Sequence, residues 1–217
     1  MKKFQVLTLL IILAGAFAVR LYHFSWPVAD WHSWRQVDTS SVSRNFVKEG
    51  FDLLRPKFDD LSIAVSLTDN PQGYRFVEFP IYNVLQAGLY KNIGRLTLEE
   101  WGRIVTIFSS LASIVFLYLL VAKYINPRAG LFAAFFFAFI PYNIYYGRTI
   151  LPDSSMVAAL LAGTYFFSNW IDTKRAIPFV LSLTFTATAL LLKPYALFFT
   201  LPLIYLAWHQ FGFGFLK

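Results

Sequence analysis

The 217 residues are 57% apolar and 14% charged, against about 45–50% and about 25% in an ordinary soluble domain, which excludes a water-soluble globule. Nineteen Lys and Arg against twelve Asp and Glu leave a net charge of +7, but the basic residues are dispersed and most of the 24 Phe, 12 Tyr and 6 Trp lie in apolar runs, so nucleic acid is not the indicated partner. With no cysteine there is no disulfide framework, no thiol nucleophile and no Cys-based zinc site.

After Lys2 and Lys3, the apolar run Phe4 to Val19 predicts a first crossing over residues 4–22. Ala16-Phe17-Ala18 has the small-x-small form of a signal-peptidase site. Because later runs also reach spanning length, a retained anchor is the preferred reading, and either reading puts the following residues outside the cytoplasm. Residues 23–100 then form an outer loop with interfacial helices. One helix is predicted from Trp34 to Lys48, lying along the surface with Trp26, Trp31 and Trp34 at the headgroup level. A second segment, Phe76–Gly94, is interrupted by Glu78, Asn83, Gln86, Lys91 and Asn92 and is read as lying in the outer interface.

Five further crossings are predicted within residues 101–210: Trp101–Ala122, Gly130–Gly147, Ser154–Ile171, Ala176–Leu192 and Pro194–His209. Six crossings put Lys2, Lys3, Lys123, Arg128, Lys174 and Arg175 on one side, which the positive-inside rule makes cytoplasmic, together with the N-terminus. Pro127, Pro152, Pro178 and Pro194 stand at or near the predicted helix ends. The expected architecture is an all-α polytopic membrane protein, one module over residues 1–217.

The same parity gathers the polar loop from His23 to Arg75, the turn Arg148 to Asp153 and Lys193-Pro194 on the outer face. Asp30 and Asp38 fall near the interface, within reach of a lipid phosphate or a sugar. Each also has an ordinary structural reading. Ser33 with Gln36 fits a capping box, Asp30 fits a cap one turn early, Asp38 fits a solvated helix face, and Asp153 fits an N-cap. Arg103, Arg148 and Lys193 are cations at the edge of the hydrocarbon, where they need a counter-charge or a route to water. With Glu78, these residues have the makings of a site for an anionic lipid-linked substrate, a base activating an acceptor and cations stabilising a departing phosphate. No metal is implied, because His23, His32 and His209 are dispersed and no dense carboxylate cluster is present.

In their order these features resemble the N-terminal half of the GT-C superfamily of integral-membrane glycosyltransferases, which includes protein O-mannosyltransferases and lipid A aminoarabinose transferases. The matching features are one crossing, an acidic outer loop, Glu78-Phe79-Pro80, an Arg opening the second crossing in Trp101-Gly102-Arg103, an outer turn ending at Asp153, and Lys193-Pro194. Asp30-x-His32-x-Trp34-Arg35-Gln36-x-Asp38-Thr39 is similar to a bacterial branch with a His-x-Trp-Arg-Gln-x-Asp-Thr signature.

The resemblance implies a polyprenyl-phosphate sugar as donor and an Asp in the first outer loop as base in an inverting transfer; the sequence itself requires no cofactor and does not decide on a divalent metal. An Asp-Glu pair is usual in the mannosyltransferase type, and Arg35-Gln36 stands in its place here, so Asp30 or Asp38 takes the role, Asp30 being favoured. Phe79 replaces a common basic position, which leaves phosphate contacts to Arg103, Arg148 or Lys193, while His32, Arg35, Glu78 and Asp153 complete the substrate-binding set. The implied location is a bacterial inner membrane with the site on the outer face and a glycan, lipid or protein as acceptor. The alternatives are a non-catalytic lipid-carrier binder or transporter-type protein, or an inactive truncated transferase, since enzymes of this type usually continue beyond Lys217.

Overall fold

The computed structural model describes residues 3–28, 30–63 and 68–212, so Lys2 of the predicted cytoplasmic set lies outside the described residues. Among the described residues the chain is helical, and its only strand-like pairing is an isolated antiparallel bridge between Lys57 and Tyr74. The helices are α1 (Lys3–Arg20), α2 (Ser33–Glu49), α3 (Ile81–Ile93), α4 (Leu98–Tyr124), α5 (Pro127–Phe139), α6 (Pro141–Tyr146), α7 (Asp153–Thr173) and α8 (Ala176–Leu192). A 3-10 turn, Pro194–Thr200, then leads into α9 (Leu201–Phe211).

Local chemistry sets several of these boundaries. α4 opens on a capping box in which Thr97 Oγ1 accepts the Glu100 N–H at 3.2 Å and Glu100 Oε2 accepts the Thr97 N–H at 2.9 Å. α5 opens on Asn126, whose side chain accepts the Ala129 N–H at 2.9 Å, with Pro127 in the first turn, where its missing N–H costs nothing. The capping box predicted at Ser33 and Gln36 does not form. His32 precedes α2 in the left-handed region (φ 55°) without a side-chain cap, and Gln36 is bonded elsewhere.

The predicted crossing Gly130–Gly147 is two helices. Pro141 has no N–H for the carbonyl of Phe137 and biases Ile140 to an extended conformation (φ −61°, ψ 127°), so α5 ends there and α6 begins. The Phe137 carbonyl takes the Asn143 side-chain amide instead, at 3.0 Å. Arg20, fully buried at the end of α1, donates to the carbonyls of Ala138 (3.0 Å), Asn143 (3.2 Å) and Ala16 (2.9 Å). The guanidinium therefore lies where three helix ends turn their negative dipoles. The run Pro194–His209 likewise divides, starting as a 3-10 turn behind the extended Lys193 before α9.

α4 is the central helix, packed on α1, α3, α5 and α7, and α8 packs on α7. One core joins Tyr82, Val105, Ile150, Met156, Ala189 and Leu192; a second, deeper along α1, α4 and α5, joins Ile12, Ala16, Ile114, Tyr118, Ala134 and Ala138. Alanines at the α1–α5 contact let the two backbones approach closely, as small residues do in membrane helices. Large apolar side chains face outward, among them Leu10, Phe132, Ile177 and Phe198, a surface suited to lipid rather than water. Two helices, α1 and α4, are long and apolar enough to cross a bilayer, while α5 and α8 are apolar at 13 and 17 residues. The six-crossing expectation thus goes beyond these two helices.

Candidate functional site

Four stretches meet at one end of the helix bundle: the loop into α2, the non-helical residues before α3, the turn between α6 and α7, and the residue after α8. Arg35 and Asp38 lie one turn apart on α2, and each meets an opposite charge from the 75–78 stretch. Arg35 Nη2 donates to both carboxylate oxygens of Glu78 at 2.8 and 2.7 Å, and Arg75 Nη1 donates to Asp38 Oδ2 at 3.0 Å. The Phe79 N–H bonds the Leu191 carbonyl at 3.0 Å, which anchors this stretch to the end of α8. Lys193 Nζ consequently stands 4.0 Å from Glu78 Oε2 and 3.5 Å from Asp153 Oδ2. The row continues to Tyr195, whose hydroxyl donates to Asp153 Oδ1 at 2.8 Å.

A second pair closes the other side. Asp30 Oδ2 lies 2.9 Å from Arg148 Nη2, and Asp30 Oδ1 accepts the Trp31 N–H at 2.7 Å. The Arg148 guanidinium is 5.5 Å from the Tyr22 ring centroid and 5.1 Å from that of Tyr145, within cation–π range. The exposed His32 ring leans on Trp31 and Tyr146 at 4.5 and 6.2 Å between centroids. Asp153 is the first residue of α7 and makes no cap bond, so its N-cap reading is replaced by the contacts to Lys193 and Tyr195.

Arg103 has a different placement. It is 2% exposed and donates to the carbonyls of Phe24 (2.7 Å) and Pro27 (3.4 Å), fastening the first loop to α4 rather than turning to the charge row. Burial pushes the Asp38 carboxyl above its usual range; Arg35 pulls it back, while Asp60 and Glu78 push it further up. Burial also pushes the Tyr82 phenol well up, so Tyr82 stays a donor to the Gly102 carbonyl at 2.7 Å, holding α3 on α4.

Two cavities flank the row. One, of about 310 Å³, is lined by Leu54, Arg75, Phe76, Glu78, Leu191 and Pro194. The other, of about 260 Å³, is lined by Tyr142, Tyr146, Asp153, Met156, Tyr195 and Phe199. Lys193 contacts one lining residue of each, Glu78 of the first and Asp153 of the second. Among the described residues no group of three or more His, Asp and Glu side chains is gathered to hold a metal ion.

The sequence points to Asp30, Arg35, Asp38, Glu78, Arg148, Asp153 and Lys193, which the fold brings to one end, and gives Gln36 only a capping and motif position, while Arg75, Tyr195 and Tyr145 are not picked out. Arg75 carried a signal in its three-residue spacing from Glu78, which mirrors Arg35 and Asp38. Tyr145 and Tyr195 carried none, because an isolated Tyr in an aromatic-rich chain is unremarkable.

The family model described as dolichyl-phosphate-mannose-protein mannosyltransferase matches residues 69–215, more than half of the chain. Comparisons with curated proteins and with solved structures gave no match.

Proposed function

The chain belongs to the dolichyl-phosphate-mannose-protein mannosyltransferase family of integral-membrane glycosyltransferases, and from that premise we propose that it transfers a sugar, with inversion, from a polyprenyl phosphate to an acceptor hydroxyl at the outer membrane face. The single observation that carries the reading is the gathering of four carboxylates and four cations, Asp30, Asp38, Glu78 and Asp153 with Arg35, Arg75, Arg148 and Lys193, at one end of an apolar helix bundle.

Asp30 is the general base. It takes the acceptor hydroxyl proton while the hydroxyl oxygen bonds to the anomeric carbon; the bond from that carbon to the phosphate oxygen breaks, and its electron pair leaves with the phosphate. Asp38, whose carboxyl burial raises, is the second candidate. Lys193 is the cation for the phosphate. Its 3.5 and 4.0 Å contacts are longer than the 2.7–2.9 Å of a charge-assisted bond, so the ammonium is free to engage a third anion. Arg148, paired with Asp30 at 2.9 Å, is a second cation beside the base for the same phosphate. Glu78 and Asp153 orient sugar or acceptor hydroxyls, the exposed His32 contacts substrate beside Trp31, Arg35 fixes Glu78, and Arg103 holds the loop.

The test is sugar transfer by purified protein from a synthetic polyprenyl-phosphate mannose. Asp30→Asn is expected to lose roughly 10²–10⁴ in turnover, the range for general-base catalysis. Unchanged turnover in both Asp30→Asn and Asp38→Asn removes the proposed chemistry.

A further inference from the structure

Gln36 is 1% exposed, yet both ends of its amide are used on backbone that belongs to other segments. Its Oε1 accepts the Ile150 N–H at 3.0 Å, and its Nε2 donates to the Trp31 carbonyl at 3.1 Å. Ile150 lies two residues beyond Arg148, and Trp31 follows Asp30 directly. One side chain therefore joins the two backbone stretches that carry the Asp30–Arg148 pair, and it does so from α2, a third element.

The two stretches differ in how else they are held. The Arg148 side is bound into the bundle, since the Thr149 carbonyl accepts Thr106 Oγ1 of α4 at 2.6 Å and Ile150 is fully buried. The Asp30 side is a loop. Arg103 secures its earlier part through Phe24 and Pro27; around Asp30, beside the Arg148 pair and the packing of the Trp31 ring on Tyr145 and Tyr146, the Gln36 amide and the Tyr145 hydroxyl both donate to the Trp31 carbonyl. Without the Gln36 amide the Trp31 carbonyl keeps one of its two donors and the Ile150 N–H is buried without one.

We propose that Gln36 is a positioning residue that sets the separation and orientation of Asp30 relative to Arg148, and so the approach of the base to the acceptor hydroxyl. The role rests on the reading of Asp30 as the base. A displacement of about 1 Å at a reacting group is enough to lower turnover about a hundredfold, so a side chain that touches no substrate reaches the rate through this geometry. A purely structural Gln36 would instead stabilise the fold and leave kcat and KM alone.

The decisive variant is Gln36→Met, which keeps the unbranched shape and deletes both bonds. Hydrogen exchange of the peptide covering residues 148–152 is expected to speed up by about tenfold at the Ile150 amide. In transfer assays kcat should fall by about tenfold or more with the donor KM within about twofold of wild type, the pattern of an interaction that matters only in the transition state. In the Asp30→Asn background the same substitution should have no further effect on the residual turnover, because the group it positions is gone. If Gln36→Met does not fold, Gln36→Asn carries the test, being one methylene too short to reach both ends. Wild-type kcat with accelerated Ile150 exchange overturns the proposal, as does an equal fractional loss with and without Asp30. Wild-type turnover in Asp30→Asn alone overturns the base assignment and this proposal with it, and is read before Gln36 is touched.

Discussion

Arg148 is held by two tyrosine rings and one carboxylate, an arrangement that suits a planar guanidinium and not a compact ammonium. Arg148→Lys keeps the charge but loses the ring stacking and the fork, so kcat/KM should fall by about tenfold to a hundredfold. Steady-state kinetics on the lipid donor check this, and full activity in the Lys variant would mean that charge alone suffices. At this scale the sequence was legible where a residue type was out of place for its surroundings. Arg148, Lys193 and Glu78 stood at the edges of apolar runs and were visible as charges in need of partners. Their partners were not visible, because pairing depends on which stretches the fold brings side by side. Arg103 shows the limit: it had the same sequence signal as Arg148, and its guanidinium is committed to the Phe24 and Pro27 carbonyls. Gln36 shows the reverse, fitting a capping motif by spacing while the left-handed turn at His32 sends its amide to Trp31 and Ile150.

The helix elements were legible to the extent that apolar periodicity and length define them. The predicted run Ala176–Leu192 coincides with α8, and the surface helix Trp34 to Lys48 differs from α2 by one residue at each end. The interfacial segment starts late, at Ile81, because the residues before it are a non-helical bend tied to α8 through Phe79. Hydropathy was blind to the break at Pro141, where an apolar residue lacks a donor, and to the repair of that break by Arg20. Arg20→Met leaves the buried Ala138 carbonyl without its donor, while the Asn143 carbonyl keeps the Gly147 N–H, which should lower unfolding stability by about 1–3 kcal/mol. Arg44, half exposed and paired with Asp59 at the surface, is the control, and Arg44→Met should stay within about 0.5 kcal/mol. Denaturant or thermal unfolding in detergent compares the two, and equal effects would show that the Ala138 carbonyl finds another donor without Arg20.

For the molecule as a whole, the ion pairs constrain which way the helices run. Lys193 follows α8 and Asp153 begins α7, and Lys193 meets both Asp153 and Glu78 of the first loop, so these two helix ends lie on the same side of the bundle as that loop. α7 has 21 residues, a length of about 30 Å and so about the thickness of the hydrocarbon core, and Lys174 lies at its far end. If α7 crosses the bilayer and the loop is outside the cell, Lys174 and Arg175 are inside, as the distribution of basic residues predicts independently. The chain contains no cysteine, which makes single-cysteine labelling unambiguous. Leu54→Cys, at a position 78% exposed in the first loop, should react with a membrane-impermeant maleimide on intact cells. Lys174→Cys should react only after the cells are permeabilised. Labelling of both positions on the same side would contradict a membrane-spanning α7 and remove the outer-face location from the proposed function. Exchange of the two sides would keep the site intact and turn it toward the cytoplasm, where the donor would have to be presented on the opposite leaflet.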